Sequence, residues 1–274
     1  MAIPSAARKG GRADRTRLTG RLTLALLRIR EQLMLVGNAA EASKMTYQTA
    51  LIVGAGSGLS ASLARLFAVN GVEVALAARQ TDKLAALCAD TGARAFACDA
   101  ADPDAVDRLF AEVTAALAVP DLVVFNPSAR VRGPIAELDR QAVWDALRVT
   151  TYGSFLVGQA AARGMLQLGR GAILFTGASA SVKGYALSAS FAMGKFGQRG
   201  LAQAMARELA PKNIHVAHFV IDGGIRSQRH VEPADRPDST LDPDAIAQSY
   251  WAVANQPRSA WTWEIELRPW LETF

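Results

Sequence analysis

From Thr49 onward the chain alternates between two hydrophobic patterns. Short apolar runs fall near 50–54, 72–78, 93–97, 121–125, 171–176 and 214–221, and the segments between them repeat their apolar residues at helical spacing. Strands that alternate with helices in this way predict a parallel sheet covered by helices on both faces. A shorter helix near Pro243–Asn255 and a final strand near Trp261–Leu267 complete the pattern. The polar, Pro- and Asp-rich stretch from Glu232 to Asp244 reads as a surface loop or lid. No internal repeat or low-complexity segment interrupts the order.

The first apolar run, Ala50-Leu51-Ile52-Val53, leads straight into Gly54-Ala55-Gly56-Ser57-Gly58-Leu59-Ser60. It reads as a strand whose carboxyl end enters a tight loop that opens a helix, where a pyrophosphate can rest against unpaired backbone N–H groups. Glycine permits that close approach because it has no Cβ and tolerates positive φ. The position where a G-x-G-x-x-G pattern would put its last glycine is Leu59, and such a loop taken alone is equally an ordinary turn between strand and helix.

Length and charge narrow the picture. With 274 residues, half of them apolar, the chain can bury one sizeable core in a single domain. Cys88 and Cys98 are the only cysteines and lack metal-ligand spacing, so buried thiols in a reducing compartment are expected, with no metal site. Residues 1–44 hold nine Lys or Arg against Asp14, Glu31 and Glu41, a net +6, which leaves −1 for the other 230 residues of a chain whose total is +5. A body of that charge carries no basic footprint for nucleic acid. The apolar patch Leu22–Leu27 is cut by Arg28 and Arg30, and no window approaches the ~20 apolar residues of a membrane span. Residues 1–44 read as an organelle transit peptide, as a surface-binding amphipathic helix, or as a stretch outside the fold. The expectation adopted is a basic N-terminal extension outside the fold, a domain spanning 45–274, and a cytoplasmic protein, with organelle targeting the alternative.

Several landmarks then fall in one order. Gly54 and Gly58 keep the first two glycines of a T-G-x-x-x-G-x-G loop, and Ser60 replaces the third. Cys98-Asp99-Ala100 follows the third strand, Phe125-Asn126-Pro127-Ser128 the fourth, Lys195 stands on the helix after a Gly-Ala-Ser-Ala-Ser strand end, and Ile221-Asp222-Gly223-Gly224-Ile225 follows the sixth strand. From about Met45 to its end the chain resembles the short-chain dehydrogenase/reductase family. The resemblance implies an α/β fold, a single doubly wound Rossmann-type domain with a parallel sheet of about seven strands. It implies a nicotinamide dinucleotide held by Gly54, Ser57, Gly58, Leu59, Arg79, Asp99, Ala100, Asn126, Lys195, Gly223 and Ile225. Asp99 matches the family's adenine contact, Asn126 the one residue kept from N-N-A-G, and residues 221–225 the loop over the nicotinamide.

The end of the second strand bears on which dinucleotide. A carboxylate there would accept the adenine ribose hydroxyls and repel a 2′-phosphate, whereas a guanidinium offers that phosphate a forked contact. Ala78 stands where the acidic residue is expected and Arg79 follows it, so NADP(H) is favoured over NAD(H); Lys83 adds positive potential.

At the reacting end the resemblance breaks. The family passes a proton through a tyrosine four residues before the lysine, a spacing that puts both on one helix face, and here that position is Phe191. The substrate-orienting serine falls on Ala178, with Ser179 able to take its place, and the family's helix asparagine becomes Thr150. Two readings follow: an oxidoreductase of weak or atypical activity on a small carbonyl or alcohol, with Lys195, Ser179 and Tyr185 as candidate catalytic residues, or a silent NADP(H)-binding protein with a structural or sensory role. His215 and His218, three apart on a strand, face opposite ways and are assigned no chemistry. The tryptophan-dense carboxyl end, with Trp261 and Trp263 on one face of the last strand, either anchors a subunit interface or caps the domain's own core. A small-molecule substrate and a homo-oligomer are expected.

Overall fold

The computed structural model describes residues 47–227 and 230–272; the expected extension at 1–44 lies outside the described residues. The strands are β1 (Thr49–Val53), β2 (Glu73–Ala78), β3 (Arg94–Ala97), β4 (Leu122–Phe125), β5 (Gly171–Thr176), β6 (Ile214–Ile221) and β7 (Glu264–Leu267). They form one seven-stranded sheet in the order β3-β2-β1-β4-β5-β6-β7, every pair parallel. The principal helices are α1 (Leu59–Val69), α2 (Ala85–Thr91), α3 (Pro103–Ala116), α4 (Arg140–Leu147), α5 (Gly153–Leu168), α6 (Ala189–Leu209) and α7 (Pro243–Ala254). A π-helical turn, Arg148–Tyr152, joins α4 to α5.

The central strands are buried at every position and largely apolar because both their faces are covered. Ala50, Ile52, Leu122, Val124, Leu174 and Phe219 pack on one side with Phe67 of α1 and Tyr250 of α7. Their neighbours Leu51, Val53, Val123, Phe125, Ile173 and Phe175 pack on the other with Leu109 of α3, Val157 of α5 and Ala202 of α6. Helix ends follow the sequence: Asp102 caps α3 by accepting from Asp104 N and Ala105 N, at 3.0 and 3.4 Å, with Pro103 in the first turn. At the strands' amino ends the buried Asp121 accepts from the amides of Gln48 and Thr49 and pairs with Arg170 at 2.7 Å, tying β1, β4 and β5 together.

The carboxyl end departs from expectation. β7 begins at Glu264, so Trp261 and Trp263 precede the strand instead of projecting from it. Trp261 stacks on His215, ring centroids 4.6 Å apart, and donates Nε1–H to Gln256 O at 3.0 Å. Trp263 lies beneath the Arg199 guanidinium at 5.6 Å. Both therefore pack on their own domain. Strand order reverses at β1, whose neighbours are β2 and β4, and the loops after β1 and β4 diverge there to open a crevice at the carboxyl edge of the sheet.

Candidate active site

Two cavities meet at this crevice. The first, about 340 Å³, is walled by Gly54, Ala78, Arg79, Lys83, Asp99 and Asn126; the second, about 490 Å³, by Ser179, Tyr185, Phe191, Lys195, Asp222 and Gly223. They share Asn126 and Ser128, which makes them two ends of one cleft.

The loop after β1 fits a pyrophosphate. Gly54 has φ +81°, and a Cβ on it would stand 2.7 Å from Pro127 N, so no other residue passes there without moving the β4 loop. A Cβ on Gly56 or Gly58 would enter open space, and the first-turn amides of Leu59 and Ser60 have no acceptor among the described residues. Free donors at a helix amino end, over glycines that leave room, suit an anion. Ser60 has taken on a bond of its own: its hydroxyl donates to Gly54 O at 3.2 Å and accepts from Asn126 Nδ2 at 2.8 Å, linking the two loops that border the crevice. The Leu59 side chain is buried, so only its backbone can serve a ligand, and Ser57 is exposed on the loop beside the cavity lining.

In the first cavity Arg79 and Lys83 are exposed and line the wall, and Arg79 forms no ion pair with Asp82 or any other described residue. The Asp99 carboxylate accepts from Ala101 N at 3.0 Å, which fixes it at the rim. Cys98 is buried beneath, its thiol pushed up to about 11 by burial and then by the charge of Asp99.

Helix α6 contributes Phe191 and Lys195 to the second cavity, whose other walls come chiefly from the loops after β4, β5 and β6. Lys195 is 2% exposed and donates from Nζ to Thr176 O at 2.6 Å and to Gln198 Oε1 at 3.0 Å; burial lowers its pKa to about 7. Phe191 lies one helical turn earlier on the same face, beneath the guanidinium of Arg130, whose Cζ is 4.7 Å from the ring centroid. Ser179, in a short 3-10 turn after β5, and Tyr185, 44% exposed, line the same space. Thr150 sits in the π turn, where its Oγ1 accepts from Ala129 N at 3.0 Å and so positions the β4 loop. Gly223 and Ile225 form part of the opposite wall, and a Cβ on Gly223, at φ +149°, would meet Pro269 Cδ at 2.7 Å.

Comparison with known proteins places this geometry. A family model described as short chain dehydrogenase matches residues 48–233. The chain belongs to that family. It is 33% identical over 175 residues to a D-threitol dehydrogenase of Mycolicibacterium smegmatis, covering 62% of this chain and 67% of the relative. A short-chain dehydrogenase from Rhodopseudomonas palustris is 38% identical with a TM-score of 0.71, covering 81% of this chain and 99% of that one. A metagenomic short-chain oxidoreductase in complex with NADP is 27% identical with a TM-score of 0.71, covering 82% and 98%. Short-chain dehydrogenases are oxidoreductases that bind nicotinamide cofactors.

Sequence reasoning missed several residues of this short-chain dehydrogenase. Arg130 and Gln198 reach the site through contacts no local pattern announces. In the sequence Asp222 is only one residue of the loop after β6, yet it is 4% exposed and accepts from Lys183 Nζ at 3.3 Å and Arg268 Nη2 at 2.9 Å. His218 lies behind Gly177, where any Cβ would strike its ring, and its Nδ1 meets Glu264 Oε2 at 3.0 Å. Burial holds the His218 imidazole down, to about 4, against the pull of Glu264. Among the described residues no group of His, Cys, Asp and Glu could hold a metal ion, and no helix is long and apolar enough to cross a membrane.

Proposed function

We propose that this short-chain dehydrogenase is an NADP(H)-dependent oxidoreductase acting on a small carbonyl or alcohol, with atypical and weak proton transfer. NADP(H) over NAD(H) is supported by Ala78 and Arg79 at the end of β2, with Lys83 beside them and no carboxylate at that strand end to repel a 2′-phosphate. The bound nicotinamide would supply or accept the hydride. Gly54, Ser57, Gly58 and Leu59 would hold the pyrophosphate, Asp99 and Ala100 the adenine, and Asn126, Lys195, Gly223 and Ile225 the nicotinamide riboside.

The observation that carries the reading is Phe191 on the cavity wall one turn before a buried Lys195. Phenylalanine has no proton to exchange, so the proton must come from another hydroxyl or a water. Tyr185 is favoured because it lines the cavity beside Lys183, an ammonium held above the ordinary lysine range chiefly by its bond to Asp222. General acid catalysis contributes ~10²- to 10⁴-fold, so its impairment slows hydride transfer without ending it.

NADPH consumption by the purified protein against a panel of carbonyl compounds tests this. Phe191→Tyr should raise the rate and add a pH-dependent limb absent from the parent. Tyr185→Phe should lower turnover in the parent by up to ~10²- to 10⁴-fold and matter little in the Phe191→Tyr background. A second reading, a cofactor-binding protein without turnover, draws on the same Phe191 under its Arg130 cap. No gain from Phe191→Tyr with NADPH demonstrably bound would favour it.

A further inference from the structure

The second cavity contains a cation that neither cofactor binding nor proton transfer employs. Arg130 stands on the loop after β4, and its backbone is clasped to the start of α6. Val131 N donates to Ser190 Oγ at 3.0 Å, Ser190 Oγ donates to Val131 O at 2.9 Å, and Gly133 N donates to Leu187 O at 3.2 Å. The side chain is held as well: the guanidinium covers the Phe191 ring at 4.7 Å, and Nη2 donates to the buried Ser188 Oγ at 3.1 Å.

What the guanidinium lacks is a counter-charge. Arg130 forms no ion pair among the described residues, whereas the buried carboxylate of the same cavity, Asp222, is committed to Lys183 and Arg268. One of its five N–H donors is bonded to Ser188, and Arg130 is among the residues that line the cavity. A planar fork oriented by an aromatic face is suited to bidentate capture of a carboxylate, and its fixed geometry leaves little side-chain freedom to lose on binding.

We propose that Arg130 sets substrate specificity by capturing a carboxylate, so that the compound reduced or oxidised here is an oxo acid or hydroxy acid and not a neutral ketone or alcohol. The inference rests on reading the second cavity as the substrate pocket. Hydride and proton transfer then occur at the carbonyl carbon and oxygen while the acid group remains chemically unchanged.

The test is binding of acetoacetate, levulinate and 2-oxobutyrate against their methyl esters, by calorimetry, to the full-length protein with and without saturating NADPH. At least one acid should bind roughly tenfold to a hundredfold more tightly than its ester. Arg130→Gln should erase that difference with ester affinity unchanged, and Arg130→Lys should keep part of it. Unchanged thermal midpoints confirm that both variants fold. The assignment is overturned if acid and ester bind alike in the parent, if no acid binds, if Arg130→Gln weakens both equally, or if inorganic phosphate outcompetes every acid. NADPH fluorescence on the same samples separates the two readings. Loss of NADPH binding counts against the cofactor assignment and leaves the acid-to-ester ratio measurable on the protein alone, whereas normal NADPH binding with no acid preference defeats only the role of Arg130.

Discussion

The Lys195 ammonium has two good acceptors, Thr176 O and Gln198 Oε1, yet burial still pulls its pKa to about 7. The folded value lies below the unfolded one, so the unfolded chain binds more protons between about pH 7 and the ordinary lysine range. Parent stability should therefore rise with pH across that window relative to Lys195→Met, and below it the full penalty of a buried ammonium is present. Denaturant titrations of both proteins near neutral pH and about two units higher check this; a pH-independent difference would mean that Lys195 is hydrated. Arg79→Ala should weaken NADP(H) by about 1.5–3 kcal/mol and NAD(H) far less, measured by titrating both cofactors. Equal weakening of the two would remove the 2′-phosphate assignment. Lys195 was legible in the sequence because its partner position, Phe191, lies one helical turn away. Arg130 was not, because its place over Phe191 is set by a clasp between the β4 loop and α6, which only the folded sheet brings together.

The loop after β1 shows how an element combines several constraints. Gly54 is required twice, by its positive φ and by Pro127 packed against it, so Gly54→Ala should lower stability by at least about 2 kcal/mol and weaken cofactor binding as well. Chemical denaturation and NADPH titration of the variant read the two effects, and wild-type values would mean that the β4 loop yields freely. The element pattern was readable because both-face burial leaves strands with unbroken apolar runs that turn residues delimit. The start of β7 was misplaced because Trp261 and Trp263 look like strand residues while their rings are engaged by His215 and Arg199 before the ladder begins. The π turn left no trace in the sequence, since Arg148–Tyr152 has a composition that an α-helix would also accept.

At the scale of the molecule, the doubly wound order followed from strand–helix alternation, and the crevice at β1 and β4 from that order. If residues 1–44 lie outside the fold, a protein beginning at Met45 should keep the full chain's thermal midpoint and NADPH affinity. A drop of several degrees would mean that the extension packs on the domain. The expected homo-oligomer has a candidate face. Trp144, Leu147, Tyr152, Phe155 and Met193 line an apolar groove of about 460 Å³, with Trp144 58% and Met193 54% exposed. Phe155→Glu should shift the mass seen by light scattering toward one chain if that face is an interface; an unchanged mass would mean that it is not one.

The π turn that leads into this groove makes chain length itself a structural variable. A π turn closes its hydrogen-bond ladder one residue later than an α turn, so it takes up one extra residue locally and leaves α4 and α5 nearly in the phase an unbroken helix would give them. Deleting one residue between Arg148 and Tyr152 should therefore leave Trp144 and Phe155 sharing the groove, while Thr150, carried on the turn itself, would lose the amide of Ala129. The extra residue in segment 148–152 thus serves the loop after β4, through Thr150, and not the phase of the two helices.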